Sequence, residues 1–113
     1  MTCCKPGKKT RDDFKAQARI HRALANEARL MIVDRLRNCE CSVGGLAEAV
    51  GLDMSTVSKH LSILLNTGIV DNRKDCSTVW YRLLSPCVLD IIACTERVLD
   101  ACMLKDHAVG KSE

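Results

Sequence analysis

Eight cysteines punctuate this 113-residue chain, and their spacing raises the first chemical question. Cys39 and Cys41 flank a single acid in the stretch Arg-Asn-Cys-Glu-Cys-Ser-Val, residues 37–43. Cys3 and Cys4 are adjacent near the N-terminus, and Cys76, Cys87, Cys94 and Cys102 are dispersed. Thiolates are soft ligands that select Cu(I), Zn(II), Cd(II), Pb(II) or trivalent arsenic and antimony over hard cations. As(III) and Sb(III) take three sulfurs in a pyramid, because a lone pair fills the fourth direction. Zn(II) takes four tetrahedral ligands and often includes His. Side chains at i and i+2 diverge on a helix. Cys39 and Cys41 can therefore share one ion only if the backbone between them is not regular helix or is distorted on binding. Thiols also support a redox switch responding to persulfide or oxidant. The competing role is that of a small core residue. That role is the expectation for Cys87 and Cys94, and Cys76, near a polar turn, is expected to pack weakly at most.

Composition narrows the setting. Hydrophobic residues make up 47% of the chain, enough for a core, and the aromatics are only Phe14, Trp80 and Tyr81. A core of Leu, Val, Ile and Ala suits helices better than a β-sandwich. The net charge of +3 permits an anionic partner without demanding one. No apolar run reaches the length of about 18 residues that a membrane helix needs. The basic N-terminus is not followed by the apolar stretch of a signal peptide, so a cytoplasmic protein with reduced thiols is expected. No Gly-rich phosphate loop or catalytic signature accompanies the Cys and His residues, so the chain does not read as an enzyme.

The elements that must position these residues follow from pattern. Residues 1–9 read as a flexible arm, 10–104 as one domain and 105–113 as a disordered tail. Thr10, Asp12 and Asp13 carry the signals of a helix start. A second helix opens at Asn26 or Glu27 and runs to about Leu36. A short helix is expected over Val43–Val50, with Leu46, Ala47 and Val50 inward. Gly51 fits its stop, and Asp53 or Ser55 can cap a further helix to about Asn66. Val57, Leu61 and Leu64 share the inner face of that helix. Residues 69–73 and 78–83 are β-rich and form a hairpin around Lys74, Asp75, Cys76 and Ser77. Ser85-Pro86 is expected to start a last helix. That helix is apolar around much of its circumference and needs a partner, which a second copy supplies.

A short helix, a glycine-containing turn and a second helix make a helix-turn-helix, and the following hairpin makes it winged. The fold class expected is mainly α with a β-hairpin wing (α+β), homodimeric. The second helix carries Ser55, Thr56, Ser58, Lys59, His60 and Ser62. Short hydroxyls and a lysine can approach base edges and phosphates while the apolar stripe faces inward. Arg73 and Lys74 on the wing are placed to hold phosphates or enter a minor groove. The partner this constellation calls for is double-stranded DNA.

Three segments, HRALANEARLMIVDRL, LAEAVGLDMSTVSKHLSILLNTGIV and VWYRL, resemble the ArsR/SmtB family of winged-helix metal- and metalloid-responsive repressors over roughly residues 20–84. The resemblance implies a homodimer, joined through the first and last helices, that binds a partly palindromic operator and leaves it on binding an inducer. The Cys39–Cys41 pair is similar to the sensor cysteines of the family's arsenical and cadmium repressors. Their best-known arsenical pattern has a third Cys three residues later, where this chain has Gly44, so the third sulfur must come from elsewhere. Cys3 and Cys4 are candidates, reaching a Cys39–Cys41 pair of the same or the other subunit. The expected inducer is As(III) or Sb(III). Cd(II), Pb(II) or Zn(II) bound by all four of these cysteines is the alternative, and a thiol-redox switch is another. Cys87, Cys94 and Cys102 form a rival set, with His107 nearby for zinc. Cys87 and Cys94 lie about 10 Å apart along one helix, too far to share an ion within one chain. The family also commonly carries Gly at the wing turn, where this chain has Asp75-Cys76.

Overall fold

The computed structural model describes residues 7–108, with side chains through 103. Five helices and three strands follow in the order α1 (Arg11–Leu24), α2 (Glu27–Arg35), β1 (Cys41–Ser42), α3 (Val43–Val50), α4 (Met54–Asn66), β2 (Val70–Asp75), β3 (Thr78–Leu83) and α5 (Val88–Ala108).

Side-chain caps set the starts of the first four helices. Thr10 and Asp13 form a reciprocal capping box at α1, and Asn26 caps α2 by accepting from the Arg29 amide. Ser42 does the same for α3 through the Gly45 amide, and Asp53 for α4 through the Thr56 amide. Each cap satisfies an amide that the helix itself leaves without a partner. Gly51 ends α3 in the left-handed region, at φ 74°, where a side chain would be strained.

The core sits among α2, α3, α4 and the inner face of the sheet. Ile32, Val33, Leu46, Val57, Leu61 and Leu64 are completely buried, and Ile69, Val70, Tyr81 and Val88 close the cluster. No polar side chain is buried with them among the described residues.

The sheet is antiparallel with strand order β1-β3-β2. Its hairpin register pairs Asp75 with Thr78, so the strands run to within two residues of each other. The wing is therefore tighter than the four-residue tip expected from sequence. Cys76 makes the turn at φ 58°, the one described non-glycine residue at positive φ. It occupies a conformation that glycine adopts without penalty and other L-residues do not.

Two further expectations need correction. The last helix begins at Val88, with Ser85-Pro86-Cys87 forming a turn before it rather than its first turn. Hydrogen bonds from the Val88, Leu89 and Asp90 amides to the carbonyls of Ser85, Pro86 and Cys87 make that turn. The helix then continues through Ala108, past the expected domain limit at 104. The helices α1 and α5 stand clear of the core. Among the described residues, only Ala23 and Leu24 of α1 and Val88 of α5 are buried, with Leu89 and Ile92 partly buried against the core. The radius of gyration is 17.8 Å, against about 13 Å for a compact chain of this length.

Candidate DNA-binding face and thiol pair

The helix pair α3–α4 and the β2–β3 hairpin build one face. On α4, Val57, Leu61 and Leu64 are turned into the core, which leaves Ser58, Lys59 and Ser62 exposed on the opposite side. Ser55 and Thr56 are differently engaged. Both hydroxyls donate to the Asp53 carboxylate, Thr56 Oγ1 at 2.7 Å, and the Thr56 amide adds a bond at 3.1 Å. These bonds hold the Asp53 carboxyl well below the usual carboxylate range. Hydroxyls that already donate inward can only accept from a ligand. Of the six α4 residues expected to face DNA, Ser58, Lys59 and Ser62 are thus uncommitted, while Ser55 and Thr56 shape the helix start.

His60 is half-buried, and its Nδ1 lies 3.1 Å from Arg29 Nη1 on α2. The same guanidinium donates to the carbonyls of Ala23 at 2.6 Å and Arg22 at 3.3 Å, at the end of α1. Arginine has no lone pair to offer, so His60 accepts at Nδ1, and a neutral ring then carries its proton on Nε2. Arg29 therefore sets both the orientation of His60 and the edge from which it can donate. Sequence pattern gave no sign of this link across 31 positions.

On the wing, Lys74 is exposed and forms no salt bridge among the described residues. Arg73 is exposed but paired. Glu40 Oε1 accepts from its Nη2 at 2.6 Å and its Nε at 3.1 Å, and Asp75 lies 3.7 Å from Nη1. The pairing lowers the Glu40 carboxyl pKa and raises that of Arg73. Beside it on the outer surface, Arg82 is bonded to Asp71 at 3.2 Å.

The Cys39–Cys41 segment is not helical. The chain leaves α2 at Arg35, passes Cys39 in a bend, and runs extended into β1, where Cys41 pairs with Tyr81 and Ser42 with Trp80. The backbone requirement for two thiols to face one ion is thus met. Cys39 is exposed, whereas Cys41 is half-buried against the core. Burial pushes the Cys41 thiol up, and the neighbouring Cys39 thiol adds to the shift, while Arg35 opposes it. A shallow pocket brings together Arg35, Asn38, Cys39, Cys41, Gly45 and Trp80. Among the described residues no group of three His, Cys, Asp or Glu converges as a metal site. Cys3 and Cys4, the expected source of further sulfur, lie outside the described residues, as does the side chain of His107.

The remaining cysteines do not fill the core. Cys76, Cys87, Cys94 and Cys102 are all exposed. For Cys87 and Cys94 this corrects the expectation of core packing: Cys87 lies in the exposed turn before α5, and Cys94 lies on α5 beyond Val88, Leu89 and Ile92, the α5 residues that reach the cluster.

Three antiparallel strands against a helix-turn-helix, with the hairpin beside the second helix, define a winged helix-turn-helix of the DNA-binding class. Residues 26–72 match the model of the bacterial regulatory protein family arsR. The chain is 41% identical over 81 residues to the nodulation protein NolR of Rhizobium meliloti, covering 72% of this chain and 66% of that protein. It is 40% identical over 77 residues to the transcriptional activator HlyU of Vibrio cholerae, covering 68% of this chain and 71% of the other. A longer relative, an HTH-type transcriptional regulator of Mycobacterium tuberculosis, is 34% identical over 96 residues, which cover 85% of this chain but 42% of that one. Among solved structures, the homodimeric winged helix-turn-helix DNA-binding domain from Mycobacterium bovis superposes with a TM-score of 0.73 at 30% identity, covering 91% of this chain and 95% of that one. The chain belongs to the arsR family of bacterial regulators. The family is one of regulatory proteins, and the Mycobacterium and Vibrio relatives are transcriptional regulators rather than enzymes. Among the described residues, no helix is long and apolar enough to cross a membrane.

Proposed function

We propose that this chain is a cytoplasmic, homodimeric transcriptional repressor that leaves its operator when As(III) or Sb(III) binds Cys39 and Cys41. The observation that carries the reading is the placement of the two thiols. Cys41 lies on a strand hydrogen-bonded to the wing, Cys39 sits in the bend that leads into it, and Ser42, the residue after Cys41, caps the first helix of the helix-turn-helix. Ligation that draws the two sulfurs together moves a segment joined directly to both DNA-facing elements. Each As–S bond forms as a thiol proton leaves with an arsenite hydroxyl as water. A third sulfur from Cys3 or Cys4 completes the pyramid.

Dimerisation is supported by the uncovered apolar residues of α1 and α5, among them Phe14, Ile91, Val98 and Leu99. It also suits DNA geometry, since two recognition helices about 34–36 Å apart enter successive major grooves. Ser58, Lys59, Ser62, Lys74 and the Nε2 edge of His60 are the groups available to the duplex. DNA and inducer then favour different dimer geometries, and each weakens the binding of the other.

The test is titration of reduced protein with arsenite on a duplex selected from a random pool by the wild-type protein. Arsenite releases the wild-type protein. The Cys39→Ser and Cys41→Ser variants bind the duplex as wild type does but are not released. Trp80, the only tryptophan, lines the thiol pocket and reports ligation by its fluorescence. Wild-type protein that stays bound in saturating arsenite rules the inducer out.

A second reading has its own support. With no third ligand beside Cys39 and Cys41 among the described residues, chemistry that needs only two thiols fits the pair. A persulfide or oxidant that releases DNA from metal-free protein, reversibly by dithiothreitol, selects that reading. Release by Cd(II), Pb(II) or Zn(II), with both Cys3 and Cys4 required, selects a metal-responsive repressor of the same design.

A further inference from the structure

We infer that Glu40 is a positioning residue that competes with DNA phosphate for Arg73 of the wing and so carries the state of the Cys39–Cys41 segment to the DNA-binding face. This rests on the reading that the wing engages DNA.

Three observations support it. The first is that one edge of the guanidinium is occupied. Glu40 takes its Nε and Nη2 edge in a two-point contact, and Asp75 sits near Nη1. Arginine binds a phosphate through such paired N–H groups. Arg73 therefore cannot give a phosphate its Nε/Nη2 fork without releasing Glu40.

The second is the register. Ser42 pairs with Trp80, and Trp80 pairs with Arg73, so one row crosses all three strands. Residues directly opposite in adjacent strands project from the same face. Glu40, two residues before Ser42, reaches Arg73 on the outer face, whereas Cys41 packs against the core. The acid, just before β1, and the half-buried thiol, its first residue, are consecutive and reach opposite faces of the sheet. A backbone rotation that repositions the thiol also moves the carboxylate.

The third is sequence distance. The pair spans 33 positions and is the one described salt bridge that joins the cysteine segment to the wing, since the others lie within α2 and its exit or within the hairpin.

The competition has a definite sign. Freed of Glu40, Arg73 binds phosphate more readily, and inducer ligation that holds Glu40 on Arg73 opposes DNA. Glu40→Gln keeps the shape and an accepting oxygen but removes the charge. A double-mutant cycle separates a direct contest from a general effect of charge. Equilibrium affinities for the duplex selected by wild-type protein are measured for wild type, Glu40→Gln, Arg73→Ala and the double variant. Thermal unfolding confirms that all four are folded. The expected result is binding about threefold to fivefold tighter for Glu40→Gln, with no such gain in the Arg73→Ala background. An equal gain in both backgrounds, or none in either, overturns the competition. Wild-type protein that binds no duplex overturns the DNA reading itself and this inference with it.

Transmission to the thiols is read separately, by iodoacetamide alkylation mapped by mass spectrometry. Bound DNA changes the alkylation rate of Cys41 or Cys39 in wild type, and the change is lost in Glu40→Gln. Rates that respond to DNA equally in both proteins leave the competition standing and remove Glu40 as the carrier.

Discussion

The helices α4 and α5 have similar apolar content and opposite fates. On α4, Val57, Leu61 and Leu64 are fully buried within the protomer. On α5, Val98, Leu99 and Met103 are 61%, 57% and 60% exposed, although they recur at helical spacing. The chain itself thus fixes where α4 sits, with its polar side outward. The apolar residues of α5 are left uncovered by the protomer, and the occupant we propose for them is a second copy. The cysteines divide the same way. Cys41 is held by strand pairing and core contact, whereas Cys94 and Cys102 sit on α5, exposed within the protomer.

Substitutions on the two helices test this contrast. The largest effect is expected from Leu61→Ala. It removes a fully buried side chain and destabilises the fold by about 3 kcal/mol, measured by denaturant unfolding. Leu99→Ala costs little in the dilute monomer, and its effect on the melting temperature grows with protein concentration as the dimer forms. A next step down is Leu99→Glu. It leaves the secondary structure intact by circular dichroism and shifts sedimentation to the monomer. Affinity for a two-half-site duplex falls about a hundredfold, because the second half-site no longer binds in concert. A Leu99→Glu variant that remains dimeric breaks the comparison as drawn.

The smallest effect belongs to the start of α4. Asp53→Ala removes the cap and the tethers to Ser55 and Thr56 and lowers the melting temperature by a few degrees at neutral pH. The folded-state pKa of Asp53 lies below its unfolded value. Its contribution is therefore full above about pH 4 and is lost as pH falls through the folded value. The difference in melting temperature between wild type and Asp53→Ala accordingly shrinks on acidification.

Much of this architecture is legible in sequence. The α3 limits, the stop at Gly51, the Asp53 cap and the inward stripe of α4 all follow from residues three or four apart. The two strands of the wing follow from their β-branched and aromatic residues. The strand β1 has no such signature, since two residues carry no period. It exists because Cys41 and Ser42 meet the free edge of β3. The candidate site was legible in part. The thiol pair and the polar face of α4 were visible from residue type, but which members are already engaged was not. Ser55 and Thr56 bond to Asp53, His60 to Arg29 and Arg73 to Glu40.

The sequence by itself determined the starts of the first four helices, the stop at Gly51, the inward face of α4, the winged helix-turn-helix order and the soft chemistry of the cysteines. These depend on caps, backbone propensities and periodicities that act within one turn or one strand. Only the tertiary structure decided that the Cys39–Cys41 segment joins the wing, that Glu40 holds Arg73, and that α5 leaves the core of its own protomer. Those outcomes couple residues more than thirty positions apart, or depend on surface a single copy does not cover. They are set by how completed elements pack, after the local rules have been satisfied.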